Sequence, residues 1–447
     1  MHILLQLGQI FFQTFLIAIV YPMFWVVFFL VYLQYKRIAS MELRLFGRVI
    51  NPLRKQLAAS FGLGLLAGLL ASLILFLLGL SLEQIGLYYI WPVALLLLLL
   101  FNPRYFCFAY AGGIVALLSL FIRFLVVPLF PAAASQPVIA GLIKIHIPAL
   151  LALIGLLHLM EALLIYIGGH WGASPIYCKN GQGEVVGAFS LQRFWPIPLV
   201  ALMMMVVLET EIAGVSMPEW WPLIKSGIQP EAGKTLQYMA VPVAAGLGYG
   251  DLAISSTPRE KAVTSAKYLG LYSALLLGLA VAAAYYPQLI LPGVLLAPLG
   301  HELLIAYGNQ RERTRKPLYR QGARGVTIMM VLPGSAAEKS GLQAGDRILR
   351  LNGAPVNSCR ELDEGLSQSY FLVLLEGERD TGPFSIVLRK EAPPESSAGF
   401  AAPPLPVASI YRCAEQGIIV APSQHTPVFV EFKRSTIFSR LLRWFRQ

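Results

Sequence analysis

The chain has 447 residues, 56% of them hydrophobic and only 13% charged, with a formal net charge of +11. A soluble domain carries roughly a quarter charged residues, so most of this chain is not ordinary water-soluble protein. The excess of cations could suggest nucleic acid. However, Lys and Arg cluster beside apolar stretches and at the C-terminus, as contact with anionic lipid requires, so no nucleic-acid partner is expected.

The charge deficit lies before Gln310, where 16 Lys and Arg and 11 Asp and Glu occur; the rest of the chain holds 19 and 13. The expected organisation is a multi-span membrane domain over 1–310, a basic linker over 311–324, and a soluble region beyond it. A helix crossing about 30 Å of hydrocarbon needs roughly 20 apolar residues. In chain order the candidates are Ile3–Tyr35, Leu57–Leu80, Leu87–Phe101, Tyr105–Val127, Val138–Ile167, Trp195–Leu208, Tyr238–Ile254, Tyr268–Tyr286 and Leu289–Tyr307. The first is interrupted by Tyr21-Pro22, which predicts a kink or an interfacial start. Trp195–Leu208 is short and carries two prolines, and Tyr238–Ile254 is rich in Gly and Ala. The expectation is an α-helical polytopic domain of about eight or nine spans.

Orientation follows the tendency of Lys and Arg to stay on the cytoplasmic side. With the N-terminus outside and all nine segments spanning, 12 Lys and Arg lie in inner loops and 4 in outer ones. The inner set includes Lys36–Lys55, Arg104, Lys179, Arg193, Arg259, Lys261 and Lys267, and everything after Arg311 is then cytoplasmic. Thr257-Pro258-Arg259-Glu260 has the spacing of a capping box and predicts a helix start. The N-terminus shows neither a basic n-region nor a small-residue cleavage pattern, so no removable signal is expected. Cys107, Cys178, Cys359 and Cys413 form no CxxC pair. Neither a zinc knuckle nor a redox motif is indicated, and no metal or cofactor is expected.

The soluble region reads as a small α+β domain. Gly325–Leu332 is a strand, Ser335 caps a one-turn helix, and Gly345-Asp346 turns into the strand Arg347–Leu351. Asn352-Gly353 is a hairpin-turn signal, Ser358 opens a helix, and Phe371–Leu375 pairs with Phe384–Leu388. The run GVTIMMVLPGSAAEKSGLQAGDRILRLNGAPVNS resembles a bacterial PDZ domain, with its body over 325–391. That resemblance implies a peptide-binding groove between a strand and a helix, preceded by a Gly-containing loop that captures a terminal carboxylate. No such loop precedes Gly325. A linker rich in Pro, Ala and Ser (392–410) leads instead to a further segment, 411–432, containing Gln416, Gly417, Ile418, Ile419 and Val420. A permuted domain would use Gln416–Ile419 as the carboxylate loop, since a glycine lets successive N–H groups converge on an anion. Ile418–Val420 would then start the strand that takes an added peptide strand. Arg360, Leu362 and Leu366 would form the opposite, helical wall. The alternative is that Gly417–Val420 is simply a core strand.

The tail, 433–447, places Ile437, Phe438, Leu441, Leu442 and Phe445 on one helical face and Arg440, Arg443 and Arg446 on the other. With Lys433 and Arg434, this basic amphipathic pattern predicts contact with the anionic inner leaflet, or else packing on protein. His301-Glu302 begins like the zinc motif HExxH, but Ile305 stands where the second histidine is needed, which argues against a membrane zinc protease. His158 and Glu161 form an ionisable pair one turn apart within an apolar helix, and such pairs are functional candidates. A transporter or sensor is the remaining alternative, and no inverted repeat supports transport.

The whole layout resembles the MinJ family of Gram-positive division-site membrane proteins. The shared features are the interrupted first segment at Tyr21-Pro22, the basic loop Lys36–Lys55, several spans, one C-terminal PDZ domain, and a later Gly-containing strand at Gln416-Gly417-Ile418-Ile419. The resemblance implies a non-catalytic scaffold at septum and poles. It would bridge a polar coiled-coil scaffold and division-inhibitor proteins.

Overall fold

A computed structural model of the protein describes residues 2–100, 105, 107–208, 215, 217–228, 230–322, 324–390, 413–424 and 426. Helices α1 (His2–Val20) and α2 (Pro22–Phe46) meet at a 50° bend. Pro22 explains it: the residue takes the first helical position of α2 and brings no N–H to continue α1. Then come α3 (Leu53–Leu78), α4 (Leu87–Leu100) and α5 (Phe108–Phe121), which continues through a π turn, Ile122–Val126, into α6 (Val127–Leu129). After α7 (Pro137–Ile143), the helix α8 (Ile147–Gly168) runs through the core, with 17 of its 22 residues buried. Helices α9 (Pro258–Tyr285) and α10 (Ile290–Thr314) complete the apolar part. The capping box at the start of α9 is present: the Thr257 hydroxyl accepts from the Glu260 N–H, and the Glu260 carboxylate accepts from the Thr257 N–H.

Among the described residues, five helices are long and apolar enough to cross a membrane, and the bent α1–α2 pair makes a possible sixth. Two of the expected helical spans are not helices. Trp195–Leu208 and Tyr238–Ile254 fall almost wholly in the long strands β2 (Val185–Leu208) and β3 (Lys234–Ala253), which pair antiparallel, with β1 (Ser174–Lys179) on the other side of β2's first residues. The prolines give the reason. Pro196 and Pro198 are two residues apart, so on a strand both point their nitrogens to the same side, away from β3. A helix would have lost two ladder bonds there, whereas an edge loses none.

That edge of β2 faces α3, and three of the amides on it find side-chain acceptors. The Phe194 N–H donates to the Tyr35 hydroxyl at 3.1 Å, the Val200 N–H to Ser72 Oγ at 2.8 Å, and the Met204 N–H to Ser81 Oγ at 3.1 Å. The helix approaches closely because Gly64 and Gly68 face the strand. A Cβ at Gly64 would strike the Pro196 carbonyl oxygen, and one at Gly68 that of Pro198. Gly64, Gly68 and Ser72 are four apart, the small-residue spacing that lets backbones meet in apolar surroundings. Arg193, expected in an inner loop, is 1% exposed within this packing. It donates to Gln56 Oε1 at 2.6 Å and lies 5.5 Å from the Tyr35 ring centre.

The soluble domain contains β4 (Val326–Val331), α11 (Ala336–Lys339), β5 (Arg347–Leu351), β6 (Ala354–Pro355), α12 (Cys359–Gln368), β7 (Leu372–Arg379), β8 (Gly382–Arg389) and β9 (Ile418–Val420). Its sheet order is β8-β7-β5-β4-β9, with β6 on β5, so the last strand in sequence pairs with the first. Asn352 and Gly353 both have positive φ, 49° and 81°, as the tight β5–β6 turn requires. Ser335 and Ser358 cap α11 and α12 by accepting from the Glu338 and Glu361 N–H groups.

The hydroxyl of Ser72 can be tested directly. Ser72→Ala leaves the Val200 amide without an acceptor in an apolar setting and should cost about 1–3 kcal/mol. Thermal unfolding in detergent micelles should show a lowered midpoint for Ser72→Ala and a near-normal one for Ser72→Thr. Gly68→Leu should prevent a folded, monodisperse protein from being recovered.

Candidate functional site

The site is built around β9. Residues 413–415 form a helical turn that Gly417 ends, with φ +86°. Only glycine fits there, because the conformation is left-handed and a Cβ would collide with the Ser335 side chain. The Gly417 N–H donates to the Ala414 carbonyl at 2.9 Å, and its own carbonyl accepts from the Leu332 N–H at 2.9 Å. The Gln416 carbonyl accepts from the Ala337 N–H at 3.2 Å. The amide of Gly417, one of those expected to converge on a carboxylate, is thus already engaged within the loop.

Among the described residues β9 is an edge strand paired only with β4, through the register Ile418↔Val331, Ile419↔Met330 and Ile328↔Val420, with a bulge between Ile328 and Met330. The bonds of Gly417 to Leu332 and of the Ala421 N–H to Thr327 fix the alternation. The main-chain groups of Ile418 and Val420 therefore point away from β4, to the outer edge. Their side chains turn into the domain core, where they meet Leu362 and Leu366 of α12; all four are buried. Ile419 points the opposite way and belongs, with Met329 and Leu332, to the core of the membrane part. The structure thus brings Ile418, Val420, Leu362 and Leu366 together, as packed core. Arg360 lies elsewhere: its side chain is exposed and pairs with Glu364 at 2.8 Å on the solvent face of α12. Lys433, Arg434, Arg440, Arg443 and Arg446 lie outside the described residues.

The outer edge of β9 meets a residue that the sequence did not single out. Tyr177, on β1, is 1% exposed and donates its hydroxyl to the Val420 carbonyl at 2.9 Å. Its ring stands edge-on to Phe46 at the end of α2, 6.1 Å between centres. Burial raises the phenol pKa well above the ordinary range, and the nearby Cys359 and Cys413 thiols raise it further. The hydroxyl therefore stays protonated and remains a donor to Val420.

Three further contacts fasten the domain at the same face. The Gln424 side-chain amide accepts from the Val185 N–H at 3.1 Å and donates to the Val185 carbonyl at 3.4 Å, imitating a strand on β2. Arg48 donates to the Ala414 carbonyl at 3.3 Å. The Gly187 N–H donates to the Tyr319 carbonyl at 2.8 Å. No spacing rule marks Tyr177 or Gln424 in the sequence, because their partners are main-chain atoms far away along the chain.

The PDZ domain family model matches residues 306–364, from within α10 to within α12, so the chain carries a PDZ domain. The chain is also similar to the cell division topological determinant MinJ of Bacillus subtilis (strain 168), 24% identical over 229 residues, which are 51% of this chain and 54% of that protein. It thus spans about half the length of that relative. A probable cell division topological determinant MinJ of Lacticaseibacillus paracasei is 26% identical over 338 residues, 73% of this chain and 80% of that protein.

Removing the Tyr177 hydroxyl isolates its bond to β9. Tyr177→Phe keeps the ring and should lose about 1 kcal/mol of local stability. Hydrogen exchange of the amides over 418–421 should then accelerate about fivefold, with β7 and β8 unchanged. Equal rates in the two proteins would show that the bond does not hold the strand.

Proposed function

We propose that this chain is a non-catalytic membrane scaffold of the cell-division site, which recruits a cytoplasmic protein through its PDZ domain. The observation that carries the reading is the outer edge of β9, where the main-chain groups of Ile418 and Val420 face away from the sheet. Such an edge takes an extended segment as an added strand. Because the Gly417 N–H is engaged by Ala414, an internal extended segment suits this edge better than a terminal carboxylate.

The side of the membrane follows from charge. The PDZ domain rests on the end of α2 and on the loop carrying Arg48, beside the basic stretch Lys36–Lys55, and it follows the basic end of α10. Lys and Arg favour the cytoplasmic face, which puts the domain inside the cell. The basic tail, with Lys433, Arg434, Arg440, Arg443 and Arg446, would then lie within reach of anionic lipid. The printed role of the similar proteins, topological determinants of cell division, supports a positioning task over a chemical one. The partners on this reading are a polar coiled-coil scaffold and division-inhibitor proteins.

Recruitment through β9 must compete with Tyr177. The Val420 carbonyl serves either the membrane part or an incoming strand, so apparent affinity falls by the fraction of time that the edge is open. A fluorescent fusion of the full chain should concentrate at septa and poles. Co-purification from cross-linked cells should recover a division or polar protein, more of it with Tyr177→Ala and none after deletion of 325–424. Uniform fluorescence along the membrane, with no protein recovered from any of the three, would sink the reading.

A further inference from the structure

We propose that Cys107, His158 and His301 form a zinc site within the membrane part, joining three segments that are distant in sequence. Cys107 is the residue before α5, His158 is near the middle of α8, and His301 is near the middle of α10. Each offers one ligand atom, and the three atoms all lie within 4.8 Å of one another. Cys107 Sγ is 3.2 Å from His158 Nε2, and the His158 and His301 ring centres are 5.1 Å apart. Zinc bonds of about 2.0–2.1 Å to nitrogen and 2.3 Å to sulfur place such atoms roughly 3–4 Å apart, so only small side-chain movements are needed.

The surroundings orient the ligands. His158 Nδ1 is 2.8 Å from the Ile154 carbonyl, one turn earlier on the same helix. A carbonyl only accepts, so Nδ1 carries the proton and Nε2 turns its lone pair toward Cys107, the arrangement that supports a metal-ligating histidine. Tyr110 and Tyr272 stand edge-on to His301, at 5.2 and 5.9 Å between ring centres. The Tyr272 hydroxyl is tied to the Ala297 carbonyl at 2.6 Å, and the Tyr110 hydroxyl to Glu302 at 2.7 Å. The rings are therefore fixed before any ion arrives.

Charge and ligand type choose the metal. A thiolate with two neutral imidazoles is a borderline-soft set, which selects zinc over magnesium or calcium. One thiolate leaves the centre with a net positive charge, which is costly in apolar surroundings. Glu161, one turn beyond His158 on α8, is a carboxylate that would offset that charge when ionised. The site thus accounts together for the ionisable residues His158, Glu161 and His301, which are expensive to keep at this depth. It is not the HExxH arrangement: two ligands come from different helices and the third from the residue that precedes α5, and Ile305 takes no part. Because α10 runs on toward the PDZ domain, an ion here would also fix the helix from which that domain hangs.

The test uses the full chain, purified in detergent with a tag free of histidine and cysteine. Elemental analysis should find about one zinc per chain, and chelation should lower the thermal midpoint, with zinc restoring it. Cys107→Ser and His301→Gln, which preserve size and polarity, should each cut zinc retention at least about tenfold. Cobalt in place of zinc should give a thiolate-to-metal charge-transfer band that Cys107→Ser abolishes. Absence of both retained zinc and the cobalt band in the native protein would overturn the proposal. So would equal zinc in the native chain and in the Cys107→Ser/His301→Gln double variant. If a variant is recovered only as aggregate, the native protein's cobalt band decides alone.

Discussion

Main-chain amides and carbonyls surrounded by apolar side chains must be paired, and this constraint shapes the molecule more than any single contact. Helices meet it internally, and a strand meets it only on the sides where it has neighbours. β2 has β3 along one side for its whole apolar half, and its other side would be a row of orphan donors. Two of those positions are prolines with no donor to orphan, and three more donate to Tyr35, Ser72 and Ser81. α3 must lie against the strand for the serine hydroxyls to reach, and Gly64 and Gly68 make that approach sterically possible. Composition, spacing and packing here are one solution to one problem.

The same constraint reappears at the junction with the PDZ domain. Two buried carboxylates gather loop amides where helices end. Glu42 accepts from the Ile50 and Asn51 N–H groups and from Ser174, tying the end of α2 to the start of β1. Glu312 accepts from the Ile254 and Ser255 N–H groups and from Ser256, tying the end of α10 to the end of β3. Each carboxylate replaces lost water with several donors, so both stay satisfied while buried. The platform that results carries Tyr177, Phe46 and Arg48 to the face where β9 lies, and the open edge of β9 receives one of its donors from the membrane part. Edge protection is usually achieved by charge, proline or a bulge. Here a tyrosine from another domain does part of it, and the β4–β9 bulge adds to it.

The sequence was legible where the pattern is local. The kink at Pro22, the capping box at Thr257, the Asn352-Gly353 turn, the Ser335 and Ser358 caps and the β7–β8 hairpin follow from neighbouring residues, and each is present. The apolar stretches marked a membrane part correctly, but apolar content does not separate a buried strand from a spanning helix. Pro196 and Pro198 did carry the discriminating signal, since a spacing of two fits a strand edge and not a helix. Of the candidate site, the resemblance predicted a late strand starting at Ile418–Val420, and β9 spans those residues, but its pairing with β4 joins segments far apart in sequence. Whether that strand's edge was free was not readable, because Tyr177 lies 243 residues from Val420 along the chain. The same holds for Cys107 beside His158: a CxxC search finds neighbours in sequence, and these two side chains are neighbours only in space.

A tethered side chain competes differently from a dissolved one. Tyr177 is held at its acceptor by the fold, at an effective concentration that for short tethers reaches the millimolar range. One neutral hydrogen bond contributes about 1 kcal/mol, and removing an aromatic ring from a closed site costs roughly 1.5–3 kcal/mol more. The closed edge is then favoured by a few kcal/mol, which lowers the apparent affinity of an added strand by about a hundredfold or more. A monovalent segment in solution gains little from so small an edge. A partner concentrated at the membrane, or presenting several copies in an array, overcomes the same penalty by avidity. On the function proposed above, the closed edge would select for assemblies over single chains.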